Sequence, residues 1–416
     1  MKGITKIITS VLMIVALFIS CGSKKAQKED LNILFIGIDG MDWEILDPLI
    51  KQNRMPNFSK LVRGGASARI NTNEANGSAV YWTSIATGQH ASKHGIEGFV
   101  VEDPRTRQLN PYTSDMRKTK AFWNILSEKG IGVGIIGWFI SWPAEAVKGF
   151  MISSYYTISD TEQLTWKGTI YEDTPGMVYP PELQGQVDGY IKSAREKYIR
   201  KLSQIINADA LRENDKVVRE TKWAFLSDEI YHEAALNLYR EKGTRVFAVY
   251  LEGLDVVGHR FTSANNEEQV RLDAKYGQVQ VKYYLYLDKV LGEYLQAVGR
   301  NTVVMVASDH GLMRGDHTEN GVFIASGPTI KTSHWCPEQI TLTDICPTML
   351  YMLGMPVAAD MDGRVFVGIF NDDHLLKNNV EYIATYGKRE MVSPAPSKSQ
   401  FDEEIVQRLK TLGYIQ

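Results

Sequence analysis

Three acidic residues of this chain of 416 residues each follow a short apolar run, and histidines lie close behind two of them. The acids are Asp39, Asp255 and Asp309, and the histidines are His259, His310 and His317. Carboxylate oxygens and imidazole nitrogens are both ligands that Zn²⁺ accepts. Six such groups are too many for one tetrahedral ion, but they suit two ions that share a substrate oxygen in a phosphoryl transfer. The alternative for Asp309-His310 alone is an ordinary turn after a strand.

Ser78 is a candidate nucleophile or phosphate-binding residue. It stands at the threshold of a predicted helix over residues 79–86, after a polar, turn-rich stretch. Free N–H groups and the helix dipole at such a position favour an anion. The alternative is that Ser78 only caps the helix, which is the commonest role of serine there. Taken alone, the local sequence favours the cap.

The elements that must position these residues alternate between strand and helix. Apolar runs at 32–38, 132–138, 244–251 and 303–307, with a shorter one at 321–326, are typical of buried strands. One long helix is predicted from about 267 to 298. This pattern predicts an α/β protein with a mostly parallel sheet, whose strands present functional groups at their carboxyl ends. Residues 151–240 break the alternation, and we interpret them as a helical and irregular insertion that caps the site.

The amino-acid composition and net charge limit the classes of partner that the protein is expected to bind. The chain is 44% hydrophobic and 23% charged, with a net charge of -3. This is an ordinary globular composition. Because there is no basic excess to neutralise phosphates along a duplex, we expect no binding to double-stranded nucleic acid.

The N-terminus has the pattern of an export signal. Lys2 and Lys6 precede an apolar run at 7–19, which is too short to span a bilayer. Cys21 follows in a segment that resembles a bacterial lipobox. We therefore predict a lipoprotein signal peptide at 1–20, a lipidated Cys21 and a polar tether at 21–30. The lipid would attach the protein to a membrane of the bacterial cell envelope, and the sequence does not indicate which membrane leaflet. The alternatives are an uncleaved anchor or a plain secretory signal. The spacing of Cys336 and Cys346 does not decide whether they form a disulfide.

Several ordered motifs together resemble the alkaline phosphatase superfamily, and within it the type I phosphodiesterase/nucleotide pyrophosphatase branch and its phosphohydrolase relatives. They are Gly37-Ile38-Asp39-Gly40, Ser78 with Trp82 and Thr87-Gly88, His94-Gly95-Ile96, Asp255 with His259, Ser308-Asp309-His310-Gly311 and His317. These motifs span residues 33–363, and the tail at 409–415 also resembles the ending of many such chains.

The resemblance implies an alkaline-phosphatase-like three-layer α/β/α sandwich over residues 31–416. It implies two divalent ions, with Zn²⁺ favoured: one bound by Asp255, His259 and His317, the other by Asp39, Asp309 and His310. Ser78 completes the second set as the nucleophile. The implied reaction is hydrolysis of a phosphomonoester or phosphodiester, such as a nucleotide, through a phosphoserine. The alternatives are a phosphotransferase or phosphomutase of the same superfamily, or a non-catalytic ligand-binding lipoprotein.

Two positions depart from the patterns of related families. Phe99 stands where diesterases carry an asparagine that binds a phosphoryl oxygen, so the choice between diester and monoester stays open. Trp82 stands where sulfatases carry an arginine, which disfavours a sulfatase. The natural substrate and the oligomeric state are not indicated by the sequence.

Overall fold

A computed structural model of the chain describes residues 30–154, 175–390, 397–399 and 402–415. The predicted signal peptide, Cys21 and nearly all of the tether lie outside the described residues, as do residues 155–174 of the predicted insertion. Within the described ranges, no helix is long and apolar enough to cross a membrane.

The strands are, in chain order, β1 Asn32–Ile38, β2 Gly65–Asn71, β3 Val100–Glu102, β4 Leu109–Pro111, β5 Val133–Ile136, β6 Gly149–Ile152, β7 Val178–Tyr179, β8 Val246–Leu251, β9 Thr302–Ala307, β10 Gly311–Met313, β11 Asp316–Thr318, β12 Gly321–Ser326, β13 His334–Trp335, β14 Ile340–Thr341, β15 Val357–Ala358 and β16 Tyr382–Ile383. Ten of them form one central sheet in the order β13-β2-β12-β9-β1-β8-β5-β6-β7, with β14 beside β2. The core strands β9, β1, β8, β5 and β6 run parallel, and β12 and β7 pair antiparallel. The predicted mostly parallel sheet is confirmed.

Side chains alternate between the two faces of the sheet, and each face packs on its own layer of helices. In β1, Leu34 and Ile36 belong to one core cluster, whereas Ile33 and Phe35 belong to the other. A strand that is buried on both faces needs apolar residues at consecutive positions, which explains the uninterrupted apolar runs of the sequence. The result is a helix-sheet-helix sandwich.

The helices are α1 Trp43–Lys51, α2 Pro56–Arg63, α3 Ser78–Thr87, α4 Ala91–His94, α5 Phe122–Glu128, α6 Gln184–Ile205, α7 Ala208–Glu213, α8 Lys216–Lys242, α9 Gly253–Phe261, α10 Asn266–Tyr276, α11 Val279–Ala297, α12 Ile345–Met352, α13 Asp372–Lys377 and α14 Asp402–Leu412. The single helix expected from about 267 to 298 is wrong, because Gly277 adopts a φ of +86° and separates α10 from α11. A residue with a positive φ and an extended ψ, here -179°, cannot continue a helix.

Parts of the predicted insertion at 151–240 pack on the main sheet and its core. Residue 151, at the start of the predicted insertion, lies in β6 of the main sheet, and the long helices α6 and α8 pack on each other. Helix α8 also packs on β8 and α9, so its inner face belongs to the main core.

Cys336 and Cys346 are both buried free thiols.

Candidate functional site

The sheet order brings the three acidic strand ends together. Strand β1 lies between β9 and β8, and all three run parallel, so their carboxyl ends meet at one edge. Asp39 follows β1 and Asp309 follows β9. Asp255 lies in the first turn of α9, which begins two residues after β8 ends. The three carboxylates therefore converge although more than 200 residues separate the first from the other two.

Asp39, Asp309 and His310 form one group of potential metal ligands. The Nε2 atom of His310 lies 3.2 Å from Asp39 Oδ1 and 3.6 Å from Asp309 Oδ2. Its Nδ1 atom is 3.0 Å from the carbonyl oxygen of Gly311, which orients the ring and leaves Nε2 toward the carboxylates. All three side chains are buried. This is the set that the family resemblance assigns to the ion beside Ser78.

Asp255, His259 and His317 lie beside this first group. Asp255 and His259 are four residues apart on α9, so both project from one face of that helix. The Nε2 atoms of His259 and His317 are 3.3 and 3.7 Å from Asp255 Oδ1, and they are 3.0 Å from each other. His310 Nε2 also lies 3.9 Å from the same oxygen, so it can join either group.

Each carboxylate in the cluster has one oxygen bound by the protein and the other directed inward. Trp82 Nε1 and the Tyr250 hydroxyl donate to Asp39 Oδ2 at 3.2 and 2.6 Å. The Tyr414 hydroxyl donates to Asp255 Oδ2. The amide of Gly40 donates to Asp309 Oδ1 at 3.4 Å. Hydrogen bonds to the outer atoms of metal ligands hold the inner atoms in place for the ion.

Three of the inward atoms are buried and have no hydrogen-bond partner among the described residues: Asp255 Oδ1, Asp309 Oδ2 and His310 Nε2. Buried polar atoms without partners cost free energy, and a convergent set of them needs an explanation. Divalent cations at the two groups satisfy these atoms and match the mixed carboxylate and imidazole donors. The residues present therefore fit divalent cations.

The pKa shifts within the cluster also indicate that its buried carboxylates favour a nearby positive charge. Burial raises the pKa of Asp309 well above its ordinary value, and the negative charge of Asp39 raises it further. Burial opposes a charged His310, yet the carboxylates of Asp309 and Asp39 raise its pKa to about 10. Burial also opposes ionisation of Asp255, but the neighbouring imidazoles of His259 and His317 lower its pKa below the ordinary value. Protons supply the positive charge here, and cations can replace them.

Ser78 lies within hydrogen-bond distance of this cluster. It is the first residue of α3, and its Oγ atom is 3.4 Å from Asp39 Oδ1. The expectation that Ser78 itself is the N-cap is wrong, because Gly77 holds that position with a φ of +88°. A side chain at Gly77 would also meet the Phe99 ring at 2.5 Å. Glycine is therefore required for the chain to turn into α3 and present Ser78.

Asp228 of α8 fixes the start of the helix that carries Asp255 and His259. Its carboxylate accepts hydrogen bonds from the amides of Glu252 and Gly253 and from the Tyr283 hydroxyl at 2.6 Å. Burial raises the pKa of Asp228 from 3.8 to about 8, and the nearby Glu252 adds to this. The folded protein thus holds a proton that the unfolded chain releases above about pH 4.

We therefore expect Asp228→Asn to be increasingly stable relative to wild type as pH rises. Wild-type stability falls between about pH 4 and pH 8 from this group, by up to about 1.4 kcal/mol per pH unit, because the folded state binds the extra proton. The asparagine is neutral and keeps an acceptor for the Gly253 amide. Urea unfolding at pH 5, 7 and 8.5 measures the gap in unfolding free energy between the variant and wild type. The exposed Asp209→Asn is the control. A gap that does not change with pH would contradict this assignment.

The sequence alone does not indicate which residues hold the outer oxygens. Tyr250 lies within an apolar run and Tyr414 lies in the C-terminal tail, so neither stands out as a partner of a carboxylate. Only Trp82 offers a local signal, since its polar N–H lies on a large ring one helical turn after Ser78. His94, which received no ligand role, is buried away from the cluster, and its Nε2 atom is 3.1 Å from Ser84 Oγ. Burial lowers the pKa of His94 to about 3, so it is neutral.

Comparison with protein families finds one match across most of the chain. The model of the family described as type I phosphodiesterase / nucleotide pyrophosphatase matches residues 33–336, nearly three quarters of the chain. Among curated proteins, arylsulfatase K of Canis lupus familiaris is 31% identical over 111 residues, which is 22% of this chain and 21% of that protein. The match spans about a fifth of the length of that relative.

Solved structures of low sequence identity share the fold. A mutant of alkaline phosphatase PafA has a TM-score of 0.56 at 12% identity, over 81% of this chain and 99% of that one. The 2-O GAG sulfatase BT1596 has a TM-score of 0.51 at 13% identity, over 82% of this chain and 74% of that one. The expected alkaline-phosphatase-like fold is confirmed.

Proposed function

The chain belongs to the type I phosphodiesterase / nucleotide pyrophosphatase family, and from this premise we propose that it is a metal-dependent hydrolase of phosphoesters that reacts through Ser78. The observation that carries the proposal is the convergence of Asp255 Oδ1, Asp309 Oδ2 and His310 Nε2, all without hydrogen-bond partners among the described residues. These atoms lie in the same cluster as Asp39, whose Oδ1 atom is 3.4 Å from the hydroxyl of Ser78, the first residue of α3.

Ser78 has the surroundings of a nucleophile in phosphoryl transfer. Asp39 Oδ1 accepts its hydroxyl proton, so the remaining lone pairs of Oγ are available to a phosphorus atom in the cavity. A bond forms between Oγ and phosphorus while the ester oxygen leaves with its electron pair. Water then cleaves the bond between Oγ and phosphorus, which releases phosphate from a monoester substrate or a phosphomonoester from a diester substrate. The amide of Ala79 in the first turn of α3 has no intrahelical acceptor among the described residues and favours the phosphoryl oxygens, whereas the amides of Val80 and Tyr81 donate to the Gly77 carbonyl.

Two divalent ions would be held by the groups described above, Asp39, Asp309 and His310 on one side and Asp255, His259 and His317 on the other. When bound, they supply charge neutralisation for the phosphoryl group and activate the serine and water oxygens. The role of the protein is to fix the inner ligand atoms. Trp82, Tyr250 and Tyr414 do so by binding the outer carboxylate oxygens.

A sulfatase is a weaker candidate, although part of the chain matches arylsulfatase K. Sulfatases carry an arginine where this chain has Trp82. Here the indole of Trp82 donates to Asp39 Oδ2 and packs on Gly37, where an added side chain would meet its ring at 2.6 Å. This buried position holds a metal ligand in place and offers no cation to a sulfate.

The proposal predicts that removal of metal abolishes phosphoester hydrolysis. Purified protein is expected to contain divalent metal and to hydrolyse p-nitrophenyl phosphate or bis-p-nitrophenyl phosphate. Chelation should lower the rate at least about 10³-fold, because the ions neutralise the charge of the transition state. Adding Zn²⁺ or Mn²⁺ back separately and measuring recovery identifies the ion. Full activity in protein shown by elemental analysis to be metal-free would refute the proposal. The ratio of rates on the two esters decides between monoester and diester.

A further inference from the structure

A cavity of about 80 Å³ opens beside Ser78 and Asp39, and its walls are largely apolar. Its apolar lining side chains come from separate segments of the chain and include Phe99, Phe139, Ile140, Ile405, Leu409 and Tyr414. A water molecule needs roughly 10 to 15 Å³ of such volume, so the cavity has room for a group of several heavy atoms. Because it adjoins the nucleophile, it is the place for the organic group of a bound ester.

The C-terminal segment Asp402–Ile415 forms one wall of this cavity. Ile405 and Leu409 are four residues apart on α14, so they share one face, and both are buried. The Tyr414 ring stacks on Phe99 with 4.9 Å between centroids and an interplanar angle of 9°. Phe99 in turn packs over Gly77, the residue before Ser78. The last residues of the chain therefore reach the surroundings of the nucleophile.

Charge in the cavity has a single sign. Asp39, Glu252 and Asp255 are the charged residues among the described lining residues, and no lysine or arginine is among them. A polyphosphate carries several negative charges and needs cations along its length. Beyond the two metal groups, the described lining residues offer such a chain apolar side chains, hydroxyl groups and the Glu252 carboxylate, and no cationic side chain. An uncharged organic group avoids that repulsion and gains from burial.

We infer that the C-terminal segment is part of the substrate pocket and that Tyr414 and Leu409 select phosphoesters with an uncharged, apolar organic group, aryl or short alkyl, over polyphosphates. This inference rests on the proposed function and names its substrate class. Tyr414 contributes in two ways that can be separated. Its ring, stacked on Phe99, supplies apolar surface, whereas its hydroxyl holds Asp255 Oδ2.

The test measures binding by titration calorimetry in the Zn²⁺-loaded full chain carrying Ser78→Ala, which removes the chemistry and leaves the cavity walls. The probes are methylphosphonate, phenylphosphonate and pyrophosphate. We expect phenylphosphonate to bind roughly tenfold or more tightly than methylphosphonate, since one buried ring supplies a gain of that order. Pyrophosphate should bind more weakly than phenylphosphonate.

Second-site variants in this background assign the effect to the C-terminal segment. Tyr414→Ala and Leu409→Ala should each reduce the advantage of phenylphosphonate to within about threefold of methylphosphonate, because the apolar wall is lost. Tyr414→Phe keeps the stacked ring and should keep the advantage. The exposed Tyr382→Ala is the matched control, and thermal unfolding verifies that each variant is folded.

Each contrary outcome is informative about a different claim. An unchanged phenyl-to-methyl ratio in both alanine variants, or pyrophosphate binding more tightly than phenylphosphonate, overturns the inference and leaves the proposed function standing. Failure of metal-loaded protein to bind any of the three probes overturns both. A loss of the ratio in Tyr414→Phe equal to that in Tyr414→Ala would show that the hydroxyl, and not the ring, sets the preference, which also contradicts the inference.

Discussion

Ser78→Ala is expected to lower kcat for phosphoester hydrolysis by at least about 10³-fold, because it removes the oxygen that attacks phosphorus. The hydroxyls of Tyr250 and Tyr414 do not replace it, since each donates to a carboxylate of the candidate metal site. The fold should be unaffected, because Gly77 and not Ser78 is the N-cap of α3. Steady-state rates on p-nitrophenyl phosphate measure the effect.

A second measurement separates a nucleophile from a residue that only binds phosphate. Acid-quenched wild-type enzyme should carry phosphate on the peptide that contains Ser78, as mass spectrometry detects, and the variant should carry none. Ser92→Ala, at an exposed serine of the neighbouring helix α4, is the control and should leave the rate unchanged. Activity above about a tenth of wild type in Ser78→Ala, with folded and metal-loaded protein, would exclude the phosphoserine route.

Asp309→Asn is expected to have opposite effects on the metal-free and the metal-loaded protein. Burial and the charge of Asp39 raise the pKa of Asp309, so without a cation its charged form is unfavourable. The neutral asparagine should therefore leave metal-free stability equal or higher. With metal, the variant loses an inward ligand oxygen, so we expect roughly 10² to 10⁴-fold lower activity and less metal per chain.

Thermal unfolding measured with and without Zn²⁺ tests these opposite effects on stability, and it does not depend on enzymatic activity. A ligand at a hundred times its dissociation constant stabilises the folded state by about 2.7 kcal/mol, and the variant should gain less than wild type. Asp316→Asn, an exposed carboxylate on the same β10–β11 hairpin as His317, should behave as wild type. Equal stabilisation of Asp309→Asn and wild type by Zn²⁺ would remove Asp309 from the metal site.

Much of the fold was predictable because its signals are local. The runs that became β1, β8 and β9 are apolar over most of their length, as expected of strands buried on both faces, and each boundary agrees with the structure to within two residues. The broken helix at Gly277 was not predicted, since helical periodicity continues on both sides of it. A single glycine is tolerated in many helices, and only its positive φ here ends α10.

The candidate site was predictable as a set of residues but not as an arrangement. The sequence indicated Asp39, Ser78, Asp255, His259, Asp309, His310 and His317, and the structure brings all seven into one cluster. The sequence did not show that Asp255 and His259 lie on a helix. It also did not show that His310 lies between the two groups, 3.2 Å from Asp39 and 3.9 Å from Asp255.

By itself the sequence determined the donor types and the strand-then-acid pattern, because side-chain chemistry and apolar periodicity are properties of short segments. The tertiary structure decided which strands are neighbours, which carboxylate oxygens face inward and where the chain's end lies. Tyr414 shows the difference most clearly. It is 159 residues from Asp255 in the chain, yet its hydroxyl binds that carboxylate and its ring stacks on Phe99. Such contacts depend on how whole layers pack, and no local pattern encodes them.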